Sequence, residues 1–166
     1  MEDLEIRDAR PADAVALADL AETTFADTFG HLFAAVPDDL RAHLDRGFGL
    51  DATRAFLDRA DVYVVVAGVA HTLVGYAKLV GSADDLQLER FYVSQAFIGR
   101  QIAAPLLAAA FARARAVGAA SLRLSVYEEN ARAQRFYRKH GFSLDGTESY
   151  AIGSQDFTFH LMRAML

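Results

Sequence analysis

Cysteine is absent from the 166-residue sequence, and so is tryptophan. Without cysteine the chain cannot form a disulfide scaffold, use a thiol nucleophile, or hold zinc or an iron–sulfur cluster through thiolates. The five histidines show no metal-ligand spacing, so we expect no metal site. These absences exclude several classes of enzyme.

Long apolar runs and basic clusters are missing as well. The longest apolar run, 62–70, is far too short to span a bilayer, and the charged segment 1–10 lacks the apolar core of a signal peptide. The formal net charge of −5 argues against nucleic acid, because binding its phosphates needs basic density. We therefore expect a cytoplasmic protein with neither a membrane nor a nucleic-acid partner.

The residues that are present predict a single folded domain over 1–166. Hydrophobic residues make up 53% of the chain and charged residues 23%, a composition unlike that of disordered segments. Alternating and helical patterns follow in the order strand, helices, hairpin, strand, helix, strand, helix, hairpin. This order indicates a mixed α/β domain.

Local signals predict where the first helices begin and end. The first helix should start near Pro11 and end at Gly30, the second should start at Pro37, and Asp51 should cap the third. The apolar stripe of the first helix is predicted to comprise Val15, Ala18, Ala21 and Phe25.

The segment 86–107 reads as a strand, a tight turn and a helix. Such a turn directs several free backbone N–H groups toward one point, where the helix dipole adds positive potential. With Gly99, Arg100 and Gln101 at its centre, the turn can hold a phosphate or pyrophosphate. The same form is common to strand–helix connections of α/β proteins, so the signal needs support from elsewhere.

That support comes from the segment 122–144. Asn130 is a good N-cap, and Asn130, Ala133 and Tyr137 share one face of the helix that it starts. A capping amide, a small residue and a phenol in a row, directly after a buried strand, can line a slot for a ligand.

The same segment resembles a known family. The pattern L-x-V-x-x-x-N-x-x-A-x-x-F-Y-x-K-x-G-F is matched by Leu124, Val126, Asn130, Ala133, Phe136, Tyr137, Lys139, Gly141 and Phe142. It looks like the second motif of the GCN5-related N-acetyltransferases, the GNAT superfamily. The segment 88–107 is similar to the first motif of that superfamily, and the order of elements fits along nearly the whole chain.

The resemblance implies a fold, a co-substrate and a binding site. The fold would be a mixed, mostly antiparallel sheet of about seven strands, flanked by helices and splayed between the fourth and fifth strands. Acetyl-CoA would be the co-substrate. Its expected binding residues are Phe91, Tyr92, Val93, Ile98, Gly99, Arg100, Gln101, Ile102, Ala103, Asn130, Ala133, Tyr137 and Lys139.

The first motif departs from the family pattern Q/R-x-x-G-x-G/A. Ile98 stands at the leading polar position and Gln101 at the middle glycine, while Ala103 conforms. Glutamine does not adopt positive φ cheaply, and Pro105 would cost roughly 3 kcal/mol inside a helix. We expect an irregular turn near Gln101. The alternative function is therefore a non-catalytic acyl-CoA-binding or sensing domain.

The implied reaction needs an acid and a base. Tyr137 is the candidate acid that protonates the leaving thiolate, unless it only packs. Glu89 is the candidate base, directly or through a water, unless it is a solvated charge or pairs with Arg90 or Arg123.

The implied acceptor is a small-molecule or peptide amine. A weaker similarity to small bacterial polyamine-acetyltransferase-like members favours a polyamine-like molecule. The acceptor site would comprise Phe25, Phe29, His31 and Glu89, with core packing as the alternative role of the two phenylalanines. The acids Asp38, Asp39, Glu128 and Glu129 could attract a cationic amine. We leave a homodimer open.

Overall fold

Seven strands form one mixed sheet in the computed structural model, which describes residues 3–166. The strands are β1 (Leu4–Asp8), β2 (Val62–Val69), β3 (Thr72–Ser82), β4 (Asp85–Val93), β5 (Ser121–Tyr127), β6 (Ser143–Ile152) and β7 (Gln155–Met165). Their order across the sheet is β1-β2-β3-β4-β5-β7-β6. Every neighbouring pair is antiparallel except β4 and β5, which are parallel.

Helices cover the two faces of this sheet. They are α1 (Ala14–Phe29), α2 (Pro37–Gly47), α3 (Leu50–Leu57), α4 (Ala103–Val117) and α5 (Ala131–Lys139). The helices α1 and α3 enclose a core around Leu17, Phe56 and Tyr76. The helices α4 and α5 enclose a second core around Leu106 and Leu122 on the opposite face. This architecture confirms the predicted α/β fold.

The sheet is split between β4 and β5. The two strands pair at Gln87 and Arg123, although β4 continues to Val93 and β5 to Tyr127. Beyond that pair the strands diverge, and their facing edges lose the ladder that a continuous sheet would have. The predicted splay is therefore present, and it opens the sheet where the two motifs meet.

A β-bulge in β4 changes the direction of two charged side chains. Lys78 pairs with Arg90 and Leu79 with Leu88, so Glu89 is the extra residue. In a bulge two consecutive residues oppose one, and the strict alternation of faces is broken. Glu89 contacts Lys78, and Arg90 contacts Phe48. Both charges thus lie on the α1 and α3 side of the sheet.

Two local predictions need correction. Val15 is 62% exposed, because the inward face of α1 is formed by Ala14, Leu17, Ala18 and Ala21. Asp51 lies inside α3, whose N-cap is Gly49 in an extended conformation. Gly30 does follow the last residue of α1, but the chain continues into the 3-10 helix Gly30–Phe33. The single-residue signals failed where tertiary packing selected a neighbouring residue.

Gly75 marks a close approach of β3 to β4 and α4. A Cβ at this position would lie 3.1 Å from the carbonyl oxygen of Tyr92 and 3.3 Å from Cδ2 of Leu106. We predict that Gly75→Ala lowers the free energy of unfolding by about 1–3 kcal/mol through overpacking, measured by thermal or urea denaturation. Gly30→Ala is the control, because Gly30 has φ −56° and its new Cβ would lie 3.9 Å from Leu40 Cδ2. Equal stability of the two variants would contradict the close approach.

Candidate active site

A cavity of about 730 Å³ occupies the splay between β4 and β5. It extends from α1 on one face of the sheet to α5 on the other, so it joins both motifs. A smaller cavity of about 320 Å³ adjoins it and shares Val93, Ile98 and Ala103 in its lining. Together the two cavities reach from the α1 side of the sheet to the turn before α4.

The sequence-predicted cofactor residues gather around these cavities. The larger cavity is lined by Phe91, Tyr92, Val93, Ile98, Ala103, Asn130, Ala133 and Tyr137. The smaller cavity adds Gly99, Gln101, Ile102 and Lys139. Arg100 lines neither; its guanidinium lies 5.0 Å from the centre of the Phe97 ring. Arg132, which the sequence reasoning did not select, lines both cavities.

The turn before α4 has the conformation that a phosphate cradle requires. Gly99 has φ 84° and Gln101 has φ 59°, so the glutamine occupies the left-handed region despite its side chain, at about 1–2 kcal/mol. In the described chain the backbone N–H groups of 101–104 have no hydrogen-bond partner. These free donors, together with the dipole of α4, suit an anion.

Pro105 does not disturb this turn. It is the third residue of α4, where the backbone N–H of any residue would lack an intrahelical acceptor. The expected cost of about 3 kcal/mol for a proline in a helix interior therefore does not apply. The irregularity predicted near Gln101 is present, but it lies in the turn rather than in the helix.

The start of α5 is tied to the end of β5. Oδ1 of Asn130 accepts a hydrogen bond from the backbone N–H of Ala133 at 3.2 Å, as predicted for an N-cap. The buried Gln134 donates from Nε2 to the carbonyl oxygens of Tyr127 at 3.3 Å and Glu128 at 2.8 Å. Sequence reasoning missed Gln134, although a glutamine four residues after a capping asparagine is a usable signal. These bonds fix the helix face that lines the cavity.

Tyr137 presents a protonated hydroxyl to the site. The residue is 8% exposed, and its ring packs edge-on against Phe91, Phe136 and Phe142. Burial raises the pKa of its phenol well above the ordinary value, because ionisation would place a charge in an apolar environment. Among residues 3–166 its hydroxyl has no hydrogen-bond partner. The phenol is therefore neutral, and no internal hydrogen bond engages its proton.

Glu89 is held by a buried lysine. Its Oε2 lies 2.5 Å from Nζ of Lys78, whose side chain is 7% exposed and lies over the Phe56 ring. Desolvation lowers the pKa of Lys78, and the charge of Arg90 lowers it further, against the stabilising effect of Glu89. The partner of Glu89 is therefore neither Arg90 nor Arg123, and the sequence alone gave no reason to choose Lys78.

The half of the cavity on the α1 side is aromatic. Phe25 and Phe29 line it, 4.9 Å apart between ring centres. His31 is exposed and does not line the cavity, whereas His43 on α2 does. The His43 ring lies 5.0 Å from Phe25, and burial together with Arg46 and Arg90 lowers the pKa of its imidazole. His43 shares a helix face with Leu40 and Leu44, a spacing that could have revealed it.

The acids expected near the acceptor lie elsewhere. Asp39 accepts hydrogen bonds from the backbone N–H and hydroxyl of Ser154, which lower the pKa of its carboxyl and tie α2 to the β6–β7 turn. Glu129 accepts a hydrogen bond from the Tyr127 hydroxyl at 3.1 Å. Neither these two residues nor Asp38 and Glu128 line the cavity.

Neither a metal-binding cluster nor a membrane-spanning helix is found among the described residues. Over 3–166, no group of three or more histidine, aspartate or glutamate side chains is arranged to hold a metal ion. In the same range no helix is both long enough and apolar enough to cross a membrane.

Known proteins resemble this chain in both sequence and fold. The model of the acetyltransferase (GNAT) family matches residues 17–142. An uncharacterized N-acetyltransferase of Mycobacterium tuberculosis is 30% identical over 130 residues, which cover 78% of this chain and 83% of that protein. Another from Lactobacillus delbrueckii subsp. lactis is 26% identical over 155 residues, covering 89% of this chain and 88% of that protein.

A solved structure reproduces the fold over the full length. The PaiA N-acetyltransferase of Thermoplasma acidophilum, solved in complex with coenzyme A, superposes with a TM-score of 0.84 at 21% identity and covers 99% of both chains. At this identity the likeness supports the fold.

The ion pair of Glu89 with Lys78 predicts a specific stability pattern. Glu89→Gln leaves the Lys78 ammonium buried without a counter-charge, and we expect a loss of about 1–2 kcal/mol. This expected loss in the free energy of unfolding is smaller than that for a fully buried pair, because the Glu89 side chain is 41% exposed. Lys78→Met combined with Glu89→Gln should recover most of the loss. Urea denaturation of these variants and of Glu128→Gln, an exposed control, measures the effect; equal stability of all variants would contradict it.

His43 predicts a pH-dependent contribution to stability. Its pKa in the folded chain lies below the ordinary value, so protonation favours the unfolded state. Its contribution is full above about pH 6.5 and is lost as the pH falls below that value. As the pH falls from 7.5 to 5.5, we expect the melting temperature of His43→Gln to rise relative to that of the wild type. His31→Gln, an exposed control, should show no such gain, and the same trend in both variants would refute the assignment.

Proposed function

The chain belongs to the acetyltransferase (GNAT) family, and on that basis we propose that it transfers an acetyl group from acetyl-CoA to a primary amine by direct attack. Acetyl-CoA is the co-substrate of this acyltransferase. The observation that supports direct attack best is the continuous cavity. Its lining includes the turn with free N–H groups before α4, the Tyr137 phenol and a set of aromatic rings, which the proposed reaction would use together.

The residues of the site suit acetyl-CoA. The free N–H groups of 101–104 would bind its pyrophosphate, with Lys139 and Arg132 supplying positive charge. The diverging edges of β4 and β5 would bind its pantetheine arm. When bound there, acetyl-CoA supplies an activated acetyl group as a thioester, and every other requirement falls to side chains of this chain.

The proton transfers assign roles to two residues. The acceptor ammonium loses a proton toward Glu89, directly or through a water, and its nitrogen attacks the carbonyl carbon. The carbon–nitrogen bond forms, the carbon–sulfur bond breaks, and the Tyr137 hydroxyl protonates the departing thiolate. The nitrogen loses its second proton as it becomes an amide nitrogen; this proton restores the Tyr137 phenol, and the proton on Glu89 passes to solvent. A covalent acyl-enzyme is not needed. Ser125, the serine that lines the cavity, donates to Glu148 at 2.5 Å rather than to an imidazole.

The non-catalytic alternative loses its main support. It rests on the departures of the turn from the family pattern at Ile98, Gln101 and Pro105, yet Gln101 adopts φ 59° despite its side chain, and Pro105 lies in the first turn of α4. The acceptor is a primary amine of a small molecule or a peptide, and the support for the polyamine-like class is the weaker sequence similarity alone. A homodimer and a cytoplasmic location also remain predictions.

Tyr137→Phe is the decisive test of the acid. We expect kcat to fall about 10²-fold, the lower part of the range for a general acid, while the KM for acetyl-CoA changes little. Thiol release from acetyl-CoA in the presence of a panel of primary amines measures both constants. The fold should persist, because within 3–166 the hydroxyl donates no hydrogen bond.

Tyr63→Phe is the matched control. Tyr63 is a half-buried tyrosine that lies outside both cavities, so its variant should retain wild-type kcat. An unchanged kcat in Tyr137→Phe would remove Tyr137 as the acid.

A further inference from the structure

We propose that the acceptor is an amine with one positive charge on an apolar alkyl or aromatic body, and that polyamines are poor acceptors. This inference rests on the proposed function and narrows the substrate class of the same site. Three observations support it: the aromatic wall of the acceptor half, the engagement of its carboxylates by neighbouring side chains, and a cation without an acidic partner.

The acceptor half is walled by aromatic rings. Phe29 is half-buried and lies 4.9 Å from Phe25 and 6.1 Å from Tyr127 between ring centres. Tyr150 and Phe159, at 5.1 Å, continue the wall onto the β6–β7 hairpin. All five residues line the cavity. Such a surface gains free energy by covering apolar groups, in proportion to the area removed from water.

The carboxylates near this wall already have partners. Glu89 is the acidic residue in the described lining, and it is paired with Lys78. Glu148 lies beside the cavity and accepts hydrogen bonds from Ser125 and Tyr150, which line it. A second ammonium of a polyamine would lose hydration against this aromatic surface without gaining a carboxylate of its own, because Glu89, the acidic residue of the described lining, is already paired.

Arg90 adds a positive charge that no acid offsets. Its guanidinium stacks on Phe48, 3.7 Å from the ring centre, and Nη2 donates to the Gly47 carbonyl oxygen at 2.8 Å. Its Nη1 is buried without a hydrogen-bond partner, and among the ion pairs of 3–166 none involves Arg90. Arg90 lines the cavity and would repel a second ammonium there.

Two amines of equal size test whether the site prefers an acceptor with one positive charge to an acceptor with two. n-Pentylamine and 1,4-diaminobutane have the same number of non-hydrogen atoms, and one has a methyl group where the other has an ammonium. We expect kcat/KM for n-pentylamine to exceed that for 1,4-diaminobutane at least tenfold, with 2-phenylethylamine also above 1,4-diaminobutane and spermidine. Thiol release from acetyl-CoA by the wild-type protein gives these constants.

Failure of this inference and failure of the proposed function give different results in this assay. Equal or better turnover of 1,4-diaminobutane or spermidine overturns the present inference and leaves the proposed function intact. Thiol release with none of the amines, while acetyl-CoA still raises the melting temperature, overturns the proposed function and this inference with it.

Two variants locate the selectivity. Phe29→Ala should raise the KM for 2-phenylethylamine about tenfold and leave the KM for acetyl-CoA unchanged. Tyr63→Ala, which removes a half-buried ring away from both cavities, should change neither. Arg90→Met, checked for folding by its melting curve, should narrow the difference between n-pentylamine and 1,4-diaminobutane. An unchanged amine KM in Phe29→Ala would overturn the aromatic wall as the acceptor surface, whether or not Arg90→Met folds.

Discussion

The short parallel pairing of β4 with β5 is the constraint on which the site depends. After Gln87 and Arg123 the strands separate, and backbone groups on both edges lose the partners that a continuous sheet would provide. An unpaired buried backbone group costs about 1–3 kcal/mol, so the open edges favour a ligand that has amide groups of its own. The break that weakens the sheet therefore creates its binding capacity.

Aromatic packing stabilises the split between β4 and β5 on both faces of the sheet. On the α5 side, Phe91 stacks on Phe136 at 5.8 Å and meets Tyr137 edge-on. On the α1 side, Phe29 meets Tyr127 edge-on. These rings bridge elements that lie on opposite sides of the split, so they replace part of the lost ladder with side-chain contacts. The same rings form the walls of the cavity, and stability and binding are therefore coupled.

Periodicity predicted the order of the elements, because that order depends on local pattern. The family resemblance implied the splay, which the sheet shows, and named most of the residues that surround the cavities on the α5 side. The acceptor side was predicted less well. His31 and His43 are similar as sequence signals, and only the packing of α2 against Phe25 shows which one lines the cavity. Lys78 could not be paired with Glu89 from the sequence, since the pairing depends on a bulge. The expectation for Gln101 rests on the preference of glycine for positive φ, although the surrounding turn can impose a left-handed conformation on other residues.

Tyr137 and Glu89 lie in contrasting environments. Tyr137 sits among Phe91, Phe136 and Phe142, and this apolar packing keeps the phenol neutral. Glu89 sits on the bulge beside the Lys78 ammonium, in an ionic environment. The two environments are opposite in polarity although both residues line one cavity. The bulge that re-aims one side chain and the helix face that buries the other thus explain why we propose different roles for two residues of one cavity.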